Sequence, residues 1–127
     1  MIGCVIQARM GSSRLPGKTL IKLDEHRSTL DFVVNQLSFS TLIDKTVIAT
    51  TSLEQDDIIE KNAKTLGIDC FRGSSDDVLD RYYHCAKKFQ INTIVRITSD
   101  CPLVDYQLVD KMLKFFLKSD FDYISNI

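Results

Sequence analysis

Residues 7–18 read QARMGSSRLPGK, a stretch in which Arg9, Arg14 and Lys18 stand among two glycines and two serines with no acid. Guanidinium and ammonium groups make charge-assisted bonds to phosphate oxygens. Ser12 and Ser13 add hydroxyl donors, and consecutive backbone N–H groups can form an anion nest. Gly11 and Gly17 let the backbone turn tightly and approach a ligand closely. This composition points to a triphosphate cradle; the competing reading is a solvated, mildly basic loop. The segment also nearly matches a P-loop, which needs four residues between its first glycine and its Gly-Lys pair. Here five, Ser12 to Pro16, intervene. Pro16 removes a backbone donor, and no amphipathic helix starts at the Lys-Thr pair, so the P-loop is excluded.

A second stretch, residues 96–103, reads RITSDCPL. Asp100 directly follows a buried apolar run, which should aim its carboxylate from the end of a strand. One carboxylate facing a cationic cradle is what a Mg²⁺ ion bridging to phosphates requires. The competing reading is a helix-capping aspartate, a role that Asp105 fits better. Cys101 has no identifiable base beside it and is not read as a nucleophile. Asp76, Asp77 and Arg81 could also reach such a site, but the two aspartates are explained equally well by helix-dipole complementarity.

The elements that must position these loops alternate in period. Ile2–Ile6 reads as a buried strand. Leu30, Val33, Val34, Leu37 and Thr41 fall on one helical face, with Ser28 as N-cap and Asp31 completing a capping box. Thr46–Thr50 is the second strand. A helix follows from about Glu54, burying Ile59, Ala63 and Leu66 and stopping at Gly67. A short strand spans Ile68–Phe71. The third helix is expected near Ser75, with an apolar face of Val78, Leu79, Tyr82, Ala86 and Phe89. Thr93–Thr98 is the fourth strand, Asp105 caps a helix that buries Val109, Met112 and Phe116, and Phe121–Ser125 reads as a fifth strand. Such alternation predicts an α/β fold with a parallel sheet of order 3-2-1-4-5 in a single domain over residues 1–127. Its topological switch point lies between strands one and four, and ligands bind there at the carboxyl ends of the strands. The two chemically unusual loops are the ones that leave those ends.

Bulk properties narrow the classes. The 127 residues carry a net charge of -1, with 44% hydrophobic and 26% charged residues, as in an ordinary soluble globular domain. No global basic field draws the chain to nucleic acid or an anionic membrane. The N-terminal apolar run is too short for a signal peptide or a membrane span. Cys4, Cys70, Cys85 and Cys101 form no CxxC pair, so reduced thiols in a cytoplasmic protein are expected. His26 and His84 match no metal-ligand spacing.

Taken together, IQARMGSSRLPGK, VIATTS, FRGSSDDVLDRYY and IVRITSDCPLVD resemble the cytidylyltransferase family, which includes the CMP-sialic acid and CMP-KDO synthetases. The likeness is strongest to its spore-coat polysaccharide biosynthesis protein F branch and runs in order through essentially the whole chain. It implies a Rossmann-like three-layer α/β/α fold, nucleotide-diphospho-sugar transferase-like, of which this chain is the N-terminal half. It implies CTP as substrate and a sugar or sugar acid whose hydroxyl attacks the α-phosphate, with pyrophosphate leaving, in surface polysaccharide biosynthesis. Arg9, Ser13, Arg14 and Lys18 would hold the phosphates, with Arg14 and Lys18 neutralising the departing pyrophosphate. Asp100 would be the Mg²⁺ ligand. Ala8, Arg72, Ser75, Thr98 and Ser99 would shape the base and ribose pocket.

The family's members are longer, and the part expected to carry the sugar pocket, a second metal-binding acid and much of a homodimer contact lies beyond the last predicted strand. Two alternatives therefore stand beside the enzyme: a nucleotide-binding module without turnover, and a glycosyltransferase using a nucleotide sugar. The second would place paired carboxylates at its metal, whereas Asp100 and Asp105 are separated by a proline-containing turn. Nothing in the residues themselves separates cytosine from uracil.

Overall fold

A computed structural model describes residues 1–11 and 17–125. Four strands, β1 (Ile2–Gln7), β2 (Lys45–Thr51), β3 (Asp69–Gly73) and β4 (Thr93–Thr98), form one parallel sheet in the order β3-β2-β1-β4. The helices are α1 (Thr29–Leu37), α2 (Asp57–Leu66), α3 (Val78–Phe89) and α4 (Tyr106–Lys118). From β1 the chain steps outward to β2 and β3, then reverses across the sheet to β4. With right-handed crossovers, that reversal puts α1 and α2 on one face and α3 on the other. Two cores result. Leu30, Val33, Leu37, Ile59 and Ala63 pack with Cys4, Ile6 and Ile48; Tyr82, Cys85 and Ala86 pack with Val5, Val47 and Ala49. Burial of β1 on both faces matches its unbroken apolar run.

Local signals set the helix ends. The Ser28 hydroxyl accepts the Asp31 N–H at 3.2 Å while the Asp31 carboxylate accepts the Ser28 N–H at 2.8 Å, a complete capping box. Gly67 closes α2 in the left-handed region at φ 72°. The Asp105 carboxylate accepts the Gln107 N–H at 2.9 Å at the start of α4.

Four expectations need correction. The α3 helix begins at Val78, not near Ser75, because Asp77 takes the N-cap and its carboxylate accepts the Asp80 N–H at 3.0 Å. Leu79 is 79% exposed, while Arg81 and Cys85 are buried in its stead; a start at Val78 turns the 81/82/85/86 stripe inward. On α4, Leu113 is the buried residue, with Met112 and Phe116 only half-buried. Residues 121–125 form no strand. A strand exists only with a ladder partner, and this segment instead runs back along α4, where the Phe121 and Phe115 rings stack at 6.3 Å.

Thr41 lies beyond the end of α1 at Leu37 and is exposed. Its N–H and hydroxyl donate to the Asp110 carboxylate at 3.0 and 3.3 Å, and the Ser40 hydroxyl donates to the same group. Asp110 thus ties the α1–β2 turn to α4. Burial works against its charge, but the Ser40 and Thr41 donors win and hold its carboxyl below the ordinary range. Asp110→Ala is expected to cost about 1–2 kcal/mol in urea unfolding at neutral pH. Because the folded-state value is depressed, this contribution is present above the unfolded value near ~3.9 and fades as pH falls through the folded one. The gap between wild type and variant should close in acid and persist at neutral pH.

Candidate nucleotide site

The carboxyl ends of β1 and β4 lie side by side, with Gln7 in register with Thr98. Both loops of interest leave from this point. The Ser99 N–H donates to the Gln7 carbonyl at 3.0 Å, extending the ladder one residue past β4, and the Ala8 N–H donates to the Ala49 carbonyl at 3.1 Å on the other side. Ala8 is buried and Arg9 is exposed.

The described residues on either side of the loop that follows β1 meet at a neck. The Gly17 N–H donates to the Met10 carbonyl at 2.7 Å, and Gly17 sits at φ 75°, a conformation that side chains rarely adopt. The Met10 N–H donates to Asp56 Oδ1 at 2.7 Å. Asp56 is fully buried and also accepts the Thr51 hydroxyl through Oδ2. Ser12, Ser13 and Arg14, three of the expected phosphate ligands, lie outside the described residues.

Past the neck, a 3₁₀ turn over Lys18–Leu20 points back at β4. Lys18 Nζ donates to Asp100 Oδ2 at 3.1 Å, and the Thr19 and Ser99 hydroxyls share a buried hydrogen bond of 2.8 Å. Sequences some 80 residues apart therefore meet twice at one place. The Lys18 and Asp100 side chains are 37% and 43% exposed. An ion pair this open is worth up to about 1 kcal/mol and yields readily to stronger partners. The Thr98 hydroxyl, and after it the Lys18 ammonium, hold the Asp100 carboxyl below its ordinary range, so it is ionised throughout the neutral region.

The other expected residues are placed differently. Arg72 leaves β3 and spends its guanidinium on the β2–α2 turn: Nε donates to the Thr51 carbonyl at 2.6 Å, Nη2 to the Leu53 carbonyl at 2.7 Å, and Nη1 to Asp57 at 2.8 Å and Glu60 at 3.4 Å. Burial opposes its charge, but Asp57 and Glu60 raise its pKa. Ser75 is half-buried in the turn before α3, and Thr98 is exposed at the end of β4. Thus Lys18, Ser99 and Asp100 come together with Ala8 nearby, while the described donors of Arg72 are engaged on the β2–α2 turn.

Sequence reasoning missed Thr19, Thr51 and Asp56. Thr19 immediately follows Lys18 and was legible as a hydroxyl at the same switch point. Asp56 had no such signal, since an acid at the start of α2 reads as a dipole partner.

A divalent cation can be judged against these donors. Asp100 offers hard, half-exposed oxygens, but no group of three His, Cys, Asp or Glu residues suited to a metal occurs among the described residues. Mg²⁺ needs only one or two carboxylates when phosphates supply further ligands. The donors fit an ion that arrives with a triphosphate, not a cage for the ion alone.

Comparison with known proteins bears on the fold and the family. A family model described as cytidylyltransferase matches residues 3–127. The chain is 42% identical over 128 residues to the spore coat polysaccharide biosynthesis protein SpsF of Bacillus subtilis, covering 96% of this chain and 53% of that one. It is 30% identical over 115 residues to the 3-deoxy-manno-octulosonate cytidylyltransferase of Bdellovibrio bacteriovorus, covering 89% of this chain and 44% of that one. A solved cytidylyltransferase from Leptospira borgpetersenii superposes with a TM-score of 0.88 at 42% identity, over 94% of this chain and 50% of the other. The chain spans about half the length of the relatives it matches. With the switch-point loops, the sheet order and a family match over nearly every residue in agreement, the chain belongs to the cytidylyltransferase family.

Proposed function

We propose that this chain forms the nucleotide-binding half of an enzyme that transfers CMP from CTP to a sugar or sugar acid, releasing pyrophosphate, for surface polysaccharide biosynthesis. The observation that carries this reading is the junction of Lys18 with Asp100 at the switch point, in a chain whose residues 7–18 carry Arg9 and Arg14 as their other charged members, both cations. Nucleotidyl transfer calls for positioning and charge neutralisation more than for a covalent protein intermediate. Lys18 and Arg9 bind phosphate oxygens, joined by Ser12, Ser13 and Arg14, and Lys18 and Arg14 take up the charge of the departing pyrophosphate. Gly11 gives the backbone room at the phosphates. Asp100 holds Mg²⁺, which when bound neutralises phosphate charge. Ala8, Ser75, Thr98 and Ser99 line the base and ribose side, and Arg72, expected there too, would have to give up donors now spent on the β2–α2 turn. A cytoplasmic location and a homodimer accompany this reading. No described helix is long and apolar enough to cross a membrane.

The test is pyrophosphate release and CMP-sugar formation with Mg²⁺, CTP and a panel of sugars and sugar acids including 3-deoxy-manno-octulosonate. Release that requires both CTP and one acceptor supports transfer. Tight CTP binding with no release for any acceptor supports a nucleotide-binding module instead.

A further inference from the structure

Arg81 is a cation in an unusual place. It is 1% exposed, although it lies on α3 one turn past the N-cap. Its stem crosses Gly73 so closely that a Cβ there would come within 3.0 Å of Arg81 Cγ. Its Nε donates to the Ser74 carbonyl at 2.9 Å, and among the described residues Nη1 and Nη2 are buried with no hydrogen-bond partner. Four N–H donors of a charged group are thus withdrawn from water with no described acceptor in return. Such a cost is rarely carried without a purpose.

Its charged neighbours sharpen the point. Asp56 favours the Arg81 charge, but its oxygens accept the Met10 N–H and the Thr51 hydroxyl, and no hydrogen bond or ion pair joins it to Arg81 among the described residues. Arg9 opposes the charge, and burial opposes it more. Arg9 is exposed, and its charge is felt at Arg81. Among the described residues, Gln7 Oε1, Thr50 Oγ1 and the Tyr82 hydroxyl are also buried without partners. Gln7 shares a strand face with Val5, which packs in the α3-side core with Tyr82, so both belong to the same side of the sheet as Arg81.

We propose that Arg81 is a specificity-determining residue that, with Arg9, binds an oxyanion of the substrates on the α3 side of the β1 end. The proposal deepens the transfer reading and rests on it, because it assigns one anionic group of the reactants to one pocket. Two sources share this chemistry: a phosphoryl group of the nucleotide, or the carboxylate of a sugar-acid acceptor.

The experiment compares wild type, Arg81→Met and Arg81→Lys by thermal melting without ligand and with Mg²⁺–CTP, inorganic phosphate or 3-deoxy-manno-octulosonate. Without ligand, Arg81→Met is expected to melt no lower than wild type, since a buried ion with unpaired donors is replaced by an apolar side chain of similar length. With ligand, the variant should lose about tenfold or more in affinity. Loss for CTP and phosphate assigns the pocket to the nucleotide; loss confined to the sugar acid assigns it to the acceptor. Arg81→Lys, which keeps the charge but not the planar fork, should fall between wild type and Arg81→Met for the same ligand, and it carries the test if Arg81→Met does not fold. A wild type that binds Mg²⁺–CTP, with variants that bind every ligand equally well, would overturn this proposal and leave the transfer reading standing. A wild type that binds no nucleotide overturns both.

Discussion

Replacing Lys18 with alanine is expected to weaken Mg²⁺–CTP binding by about thirtyfold, roughly 2 kcal/mol, while leaving unfolding stability within about 0.5 kcal/mol of wild type. The asymmetry follows from exposure. In the free protein, Lys18 pairs with Asp100 at 3.1 Å in a half-open site, where solvent screens the pair and its loss costs little. Against a triphosphate the same ammonium is a charge-assisted donor to a multiply charged partner, which is worth more than the screened pair it leaves. Titration calorimetry of the variant beside urea unfolding separates the two effects. A variant that binds as wild type does would remove Lys18 from the phosphate site. The companion variant Asp100→Ala should lose the Mg²⁺ dependence of binding. Because Asp100 is held below the ordinary carboxylate range, its own titration should add nothing to the pH profile of that dependence between about pH 6 and 8.

Asp56→Ala is expected to damage both fold and site. The carboxylate is fully buried and accepts the Met10 N–H and the Thr51 hydroxyl, so truncation orphans two donors at once. It also removes the carboxylate that favours the buried Arg81 charge. A stability loss of about 3 kcal/mol is expected, together with weakened CTP binding as the neck at Met10 loosens. Asp56→Asn, which keeps an acceptor for Met10, should recover part of the stability. Chemical denaturation of both variants checks this order. Equal losses for alanine and asparagine would show that the charge, not the hydrogen bond to Met10, matters.

Much of this architecture is local and was therefore legible in the chain. Ser28 with Asp31, Gly67 and Asp105 each fix a helix end through their own side chain or backbone, with no help from distant residues. The β1 run is apolar enough to force burial on both faces, and the sheet order then brings Gln7 at the end of β1 beside Thr98 at the end of β4. What escaped was set by partners. Phe121–Ser125 alternates as a strand does, but the aromatic face of α4 claims Phe121. Ser75, Asp76 and Asp77 are all competent caps, and only the packing of Tyr82 and Cys85 against Val5 and Val47 selects Asp77. Arg81 and Asp56 escaped for a related reason: charged residues on helices usually face water, and their burial depends on the sheet beneath them.

The most direct test of a CTP site at the β1–β4 junction is calorimetric titration of the wild-type chain with CTP and UTP, each with and without Mg²⁺. The account predicts saturable binding of CTP that requires Mg²⁺ and exceeds that of UTP by about tenfold or more. Equal binding of both nucleotides, or no binding of either, would contradict it.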